Sequence, residues 1–100
     1  MPKMSLSVPH ALGQEEAVSR LKNFIPKIRE HYQSQVKNIE ESWEGNVLTF
    51  SFKTLGIQIK GRIAVEPSEA KFDGEIPFAA MMFKGKIEQS IRDDLAKLLG

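Results

Sequence analysis

From Leu48 to Ile76 the chain alternates apolar and polar residues, with turn residues between the runs, and this pattern constrains the fold more than any other feature. Ile57, Ile59, Gly61, Ile63 and Val65 face Gln58, Lys60, Arg62 and Ala64 in the period expected of a half-buried strand. Leu48, Phe50 and Phe52 form a similar run before it, and Ala70, Phe72, Gly74 and Ile76 another after it. Ile39, Glu41 and Trp43 share one face of a further strand. Glu44-Gly45-Asn46, Thr54-Leu55-Gly56 and Glu66-Pro67-Ser68-Glu69 read as the turns, and Pro77 ends the series. Four consecutive strands joined in this way make an antiparallel meander with one strongly apolar face. No second set of strands is left to cover that face, so helices must do it.

Both flanks supply helices. Met4, Leu6 and Val8 alternate with Lys3, Ser5 and Ser7 in a first strand that stops at Pro9. The spacing then changes: Glu15 and Glu16 suit a first helical turn, and Ala17, Leu21, Phe24, Ile25, Ile28, Tyr32 and Val36 recur at helical intervals. This predicts a helix from Gln14 to about Val36, kinked or split near Lys22 to Pro26 and leaving through Lys37-Asn38. A last helix is expected from Phe78–Ala80 to Leu99, with Ala80, Phe83, Ile87, Ile91, Leu95 and Leu98 inward and Gly85 weakening its first turns.

The expected fold is thus a single α+β domain over residues 1–100, β-α-β-β-β-β-α, with both helices on one face of a five-stranded antiparallel sheet. Pairing of the first strand with the fifth gives the order 2-3-4-5-1, the outline of a reduced helix-grip fold. Phe50, Ile59, Ile63, Phe72, Phe83, Ile87 and Ile91 should share the core, and Gly61 should mark strong bending or a closely approaching helix.

Composition limits the function classes. A formal net charge of +1 gives no general nucleic-acid footprint, and the absence of cysteine excludes disulfides, thiolate nucleophiles and thiolate metal sites. The N-terminus turns polar too early for a secretory leader, and no apolar run reaches the roughly 18 residues of a membrane span. A soluble cytoplasmic protein without nucleic-acid or membrane partners is expected.

No residue pattern assembles a catalytic centre, a cofactor site or a metal site. His10 and His31 lie far apart; His10, after a strand-ending proline, suits capping of backbone groups, and His31 suits a solvated helix face. A hydrolase would need Ser5, Ser7 or Ser51 to meet His10 and a carboxylate, which the spacing does not predict. Glu15-Glu16, Glu40-Glu41 and Asp93-Asp94 are adjacent pairs that cannot share a face. Lys53, Lys60, Arg62, Lys71, Lys84 and Lys86 could converge on a basic region, although aromatic residues are not interleaved with them. Trp43 suits packing at the sheet rim or an interface anchor. Met81 and Met82, in the run Ala79-Ala80-Met81-Met82-Phe83, are the candidates for an apolar contact, since a helix can turn only part of that run inward.

The sequence resembles the polyhydroxyalkanoic acid system proteins, a polyhydroxyalkanoate granule-region family, over nearly its whole length. The resemblance is carried by Pro9-His10-Ala11-Leu12, Glu15-Glu16-Ala17, Trp43-Glu44-Gly45-Asn46 before Leu48 and Phe50, Gly61-Arg62-Ile63, and Phe83-Lys84 followed by Ile87-Glu88, Ile91 and Leu95. Gly13, Pro26 and the stretch from His31 to Ser42 depart from the family pattern. The resemblance implies a link to bacterial storage of a water-insoluble polyester in granules. The expected role is an accessory, non-enzymatic protein contacting the polymer or a granule-associated protein, with a homodimer as a further contact; the alternative is a small apolar-ligand carrier or sensor. Met81, Met82, Trp43 and His10 are the candidate interaction residues.

Overall fold

The computed structural model describes residues 3–32, 34–54 and 56–100. Its elements are β1 (Lys3–Pro9), α1 (Gln14–Leu21), α2 (Phe24–His31), β2 (Val36–Glu44), β3 (Val47–Thr54), β4 (Ile57–Val65), β5 (Glu69–Glu75), a 3-10 helix (Phe78–Phe83) and α3 (Lys84–Leu99). The sheet is antiparallel in the order β1-β5-β4-β3-β2. This is the α+β topology expected from the sequence, with β1 beside β5.

Alternation places the apolar set of every strand on one face. One row across the sheet reads Leu6, Phe72, Ile63, Leu48 and Trp43. The helices tile this face: α3 lies against β1, α1 against β4 and α2 against β2. Phe50 is the hub beneath them, edge-on to Phe24 of α2 at 5.5 Å and stacked near Phe52 and Phe72 at 6.0 and 6.1 Å.

The first helical segment is two helices. The α1 backbone closes at Lys22 and Asn23, whose N–H groups donate to the carbonyls of Val18 and Arg20, and α2 restarts at Phe24. Pro26 is therefore the third residue of α2, within the first turn, where helical N–H groups have no partner in any case. The proline costs no hydrogen bond there. Gln14 fixes the start of α1 by donating from Nε2 to the carbonyl of Val65, 3.0 Å away at the end of β4.

Three expectations need correction. The helix stops at His31 and not at Val36: the N–H groups of Gln35 and Val36 both donate to the Tyr32 carbonyl in a turn, and Val36 opens β2. Asn38 takes the left-handed conformation foreseen for it, with φ 54°, but within β2. There it belongs to a bulge where the register jumps between Lys37 and Glu40. The extra residue allows Val36 and Ile39, three apart, both to pack against the core.

The second correction concerns Gly61, approached by aromatic rings and not by a helix. A Cβ there would stand 2.5 Å from Cζ of Phe50 and 2.7 Å from Cε1 of Phe72, rings carried by the strands on either side. Gly74 sits directly opposite Gly61 and meets Cζ of Phe72 at 2.6 Å. Two paired glycines thus make the recess that the phenylalanines fill.

Third, Phe83 is 44% exposed, whereas Phe50, Ile59, Ile63, Phe72 and Ile91 are core residues as expected and Ile87, partly buried, packs against them. The final helix opens as a 3-10 helix over Phe78–Phe83, and α3 starts only at Lys84, so Phe83 stands at the junction of the two and not within an α-helical stripe. The expected turn at Thr54-Leu55-Gly56 includes Leu55, which lies outside the described residues.

Candidate functional site

Pro77 closes the fifth strand with φ −68° and ψ 157°, and the chain coils at once into the 3-10 helix, where the N–H of Ala80 donates to the Pro77 carbonyl at 2.9 Å. Only Ala80 of this helix is buried. Phe78, Met81, Met82 and Phe83 are 72%, 53%, 83% and 44% exposed, the large apolar side chains that the described residues leave in solvent. Four such side chains within six consecutive residues are a local cluster, which differs from the isolated exposed apolar residues of an ordinary surface. Sequence reasoning singled out Met81 and Met82 here. It missed Phe83, which it kept on the inward stripe with Ile87, and Phe78, which it placed at the start of the helix.

The other two candidates are not part of this patch. His10 follows β1 at the end where β5 begins. Its Nε2 lies 3.0 Å from the Glu66 carbonyl, and its Nδ1 accepts from the Leu12 N–H at 3.2 Å. A carbonyl can only accept and an amide can only donate, so these partners select the tautomer with hydrogen on Nε2. His10 is thus a clasp between the end of β1 and the turn before β5, with the His10 N–H also bonded to the Ser68 carbonyl. Trp43 is half-buried on β2, across from Leu48, and packs against the core at the sheet edge.

Possible reaction geometry is equally scattered. Ser5 and Ser51 lie on the outer face, donating to Asp73 at 3.1 Å and to Glu40 at 3.4 Å, while both ring nitrogens of His10 are engaged with backbone. The hydroxyls of Ser5 and Ser51 are therefore engaged with carboxylates and not with His10.

Two hollows lie among the described residues. An open depression of about 830 Å³ lies over the polar outer face, where the row Lys3, Glu75, Lys60, Ser51 and Glu40 crosses all five strands. A narrow crevice of about 30 Å³ between α2 and α3 is bordered by Lys27, His31, Tyr32, Asp94 and Lys97. Burial raises the pKa of Asp94 above the usual carboxylate value, against the opposing pull of Lys97 and His31. Burial and the neighbouring charges of Asp94 and Asp93 likewise raise that of Tyr32. The crevice has room for water but not for a carried ligand.

Among the described residues no helix is long and apolar enough to cross a membrane. Two solved structures are similar in outline. The crystal structure of Ara h 8.0201 has a TM-score of 0.44 at 8% identity, covering 98% of this chain and 97% of that one. The crystal structure of TTHA0849 from Thermus thermophilus has a TM-score of 0.39 at 10% identity, covering 98% and 92%. No curated protein sequence matches. The sequence model of one family matches residues 4–99, nearly the full length, and the chain belongs to that family, described as "Putative polyhydroxyalkanoic acid system protein".

Proposed function

We propose that this protein is a non-enzymatic accessory component of the polyhydroxyalkanoate system that attaches, in the cytoplasm, to the surface of polyester storage granules. The observation that carries the reading is the apolar patch of Phe78, Met81, Met82 and Phe83 on a turn that leaves the sheet. Burying such side chains is worth roughly 1.5–3 kcal/mol each when complete. A polymer surface or a granule-associated protein would supply the apolar phase that this fold does not. Two methionines with flexible thioether side chains suit a surface without a fixed shape.

The alternative, a carrier of small apolar ligands, draws less support. Such a carrier needs space between sheet and helices, and there Phe24, Phe50 and Phe72 pack ring to ring. The test is to follow tagged protein in cells with and without granules. Concentration at granules, lost in a Phe78→Ser, Met82→Ser variant that still folds, is the expected result. Uniform distribution in granule-containing cells would refute the proposal.

A further inference from the structure

The surroundings of the apolar turn say what kind of surface it fits. A 3-10 helix has about three residues per turn, so Phe78 stands over Met81, Ala79 over Met82 and Ala80 over Phe83. Only the third line meets the core, through Ala80; the other two point Phe78, Met81 and Met82 into solvent. A segment apolar on every face, but covered by its own fold on one, is suited to immersion in a second apolar phase.

Charge is polarised along the strands in the same sense. The turn leaves the sheet where β5 ends, and the antiparallel register collects lysines at that end: Lys3 and Lys60 flank Glu75, and Lys53 faces Lys37. Lys84 and Lys86 open the helix that follows. Acids there include Glu75, Glu40 opposite Ser51, Glu41 beside it, and Glu88, which pairs with Lys84 at 3.9 Å. At the opposite end Lys71 lies between Glu66 and Glu69, 3.6 Å from each, and Glu44 ends β2. A protein of formal charge +1 therefore presents its apolar turn from an end where lysines outnumber these acids.

We infer that this turn enters the outer layer of an anionic lipid surface, with Phe78 and Met82 among the acyl chains and the surrounding lysines against the phosphate groups. The inference rests on the granule-surface reading for the contacting turn and adds the chemistry of the layer it meets. A neutral polyester would leave the lysines without counter-charges. A second copy meeting this one through the same turn would bring two basic ends together, which electrostatics opposes. The contact is interfacial, so the expectation of no membrane partner, which followed from the lack of a spanning segment, does not extend to it.

The experiment is sedimentation of the full chain with vesicles of phosphatidylcholine mixed with phosphatidylglycerol, vesicles of phosphatidylcholine alone, and uncoated polyester particles. Strong, salt-sensitive binding to the mixed vesicles is expected. Lys84→Gln and Lys86→Gln should each lower it roughly fivefold, and Phe78→Ser and Met82→Ser each about tenfold or more. Circular dichroism should stay unchanged, because all four side chains lie outside the core. Equal binding to neutral vesicles, no binding to vesicles, preference for the bare polyester, or a Met82-dependent dimer in place of vesicle binding would each overturn the inference. Absence of vesicle binding with tagged protein still concentrated on granules would remove the lipid contact and leave the granule reading standing. Vesicle binding with uniform distribution in cells would support the lipid contact and remove the granule reading.

Discussion

Adding one methyl group at Gly61 tests the packing that shapes the sheet. In Gly61→Ala the new Cβ would lie 2.5 and 2.9 Å from Cζ and Cε1 of Phe50 and 2.7 Å from Cε1 of Phe72. Carbon atoms pack best at about 3.5–4.0 Å, so both rings must withdraw by roughly 1 Å. A ring tip at a loose surface would move cheaply, but Phe50 is 2% exposed and Phe72 fully buried. Phe50 is held by Phe24 and Phe52, and Phe72 lies on its remaining side, so neither ring can retreat without pushing another. Overpacking of this kind costs about 1–3 kcal/mol. Alanine also restricts the unfolded chain, which returns roughly 0.4–1 kcal/mol. The net expectation is a loss of about 1–2 kcal/mol, or roughly 5–15 °C in Tm for a domain of this size. Urea and thermal unfolding measure it. In a Phe50→Leu background the alanine should cost less, since the nearer clash is gone, and a double-mutant cycle should show the coupling. A Gly61→Ala protein as stable as the parent, or no coupling to Phe50, would refute the reasoning.

Other side chains give independent checks. Arg20 donates from Nη1 to the Gly100 carbonyl at 2.8 Å and pairs with Glu16 at 3.2 Å, tying the end of α3 to α1; Arg20→Ala should cost about 1 kcal/mol in urea unfolding. Asn38 has φ 54° in the β2 bulge, so Asn38→Val should lose roughly 1–2 kcal/mol while Asn38→Gly stays near the parent, by the same assay. Asp94 has a folded-state pKa raised by burial, so folding holds its proton more tightly than the unfolded chain does. The contribution is fully favourable below the unfolded carboxylate pKa, near 3.9. It is lost as pH rises through the interval up to the raised folded value. Asp94→Asn should therefore flatten this part of the profile and be the more stable protein at neutral pH, measured as urea midpoints against pH.

The fold was legible where one periodicity excluded the others. In β4 the alternation from Ile57 to Val65 fits no helix, and its register with β3 and β5 follows from keeping Ile59 and Ile63 on the core side. Val36 shows where periodicity stops deciding. It falls on the helical stripe that includes Ile28 and Tyr32, yet it packs equally well as the first residue of a strand, because the bulge at Asn38 resets the alternation before Ile39. Both readings bury Val36, so burial alone could not place the helix end. The turn at the Tyr32 carbonyl decides it, and that turn has no sharp residue signature.

The candidate site was legible in part for a related reason. Met81 and Met82 drew attention because an α-helix leaves some of a continuous apolar run outside, but that argument kept Phe83 inside with Ile87. The structure divides the two by changing helix type at Lys84: three residues per turn before it and the ordinary α-helical period after it. Ala80 then serves as the sole inward residue of its turn, small enough to sit fully buried where the chain leaves Pro77 for α3. A larger inward residue would have pushed the turn away from the sheet. With alanine there, the sequence that ends the meander also sets four apolar side chains outward at the end of the sheet where β5 finishes. This placement gives packing and charge one common test, because substitutions at Met82 and Lys86 should weaken the same contact without unfolding the protein.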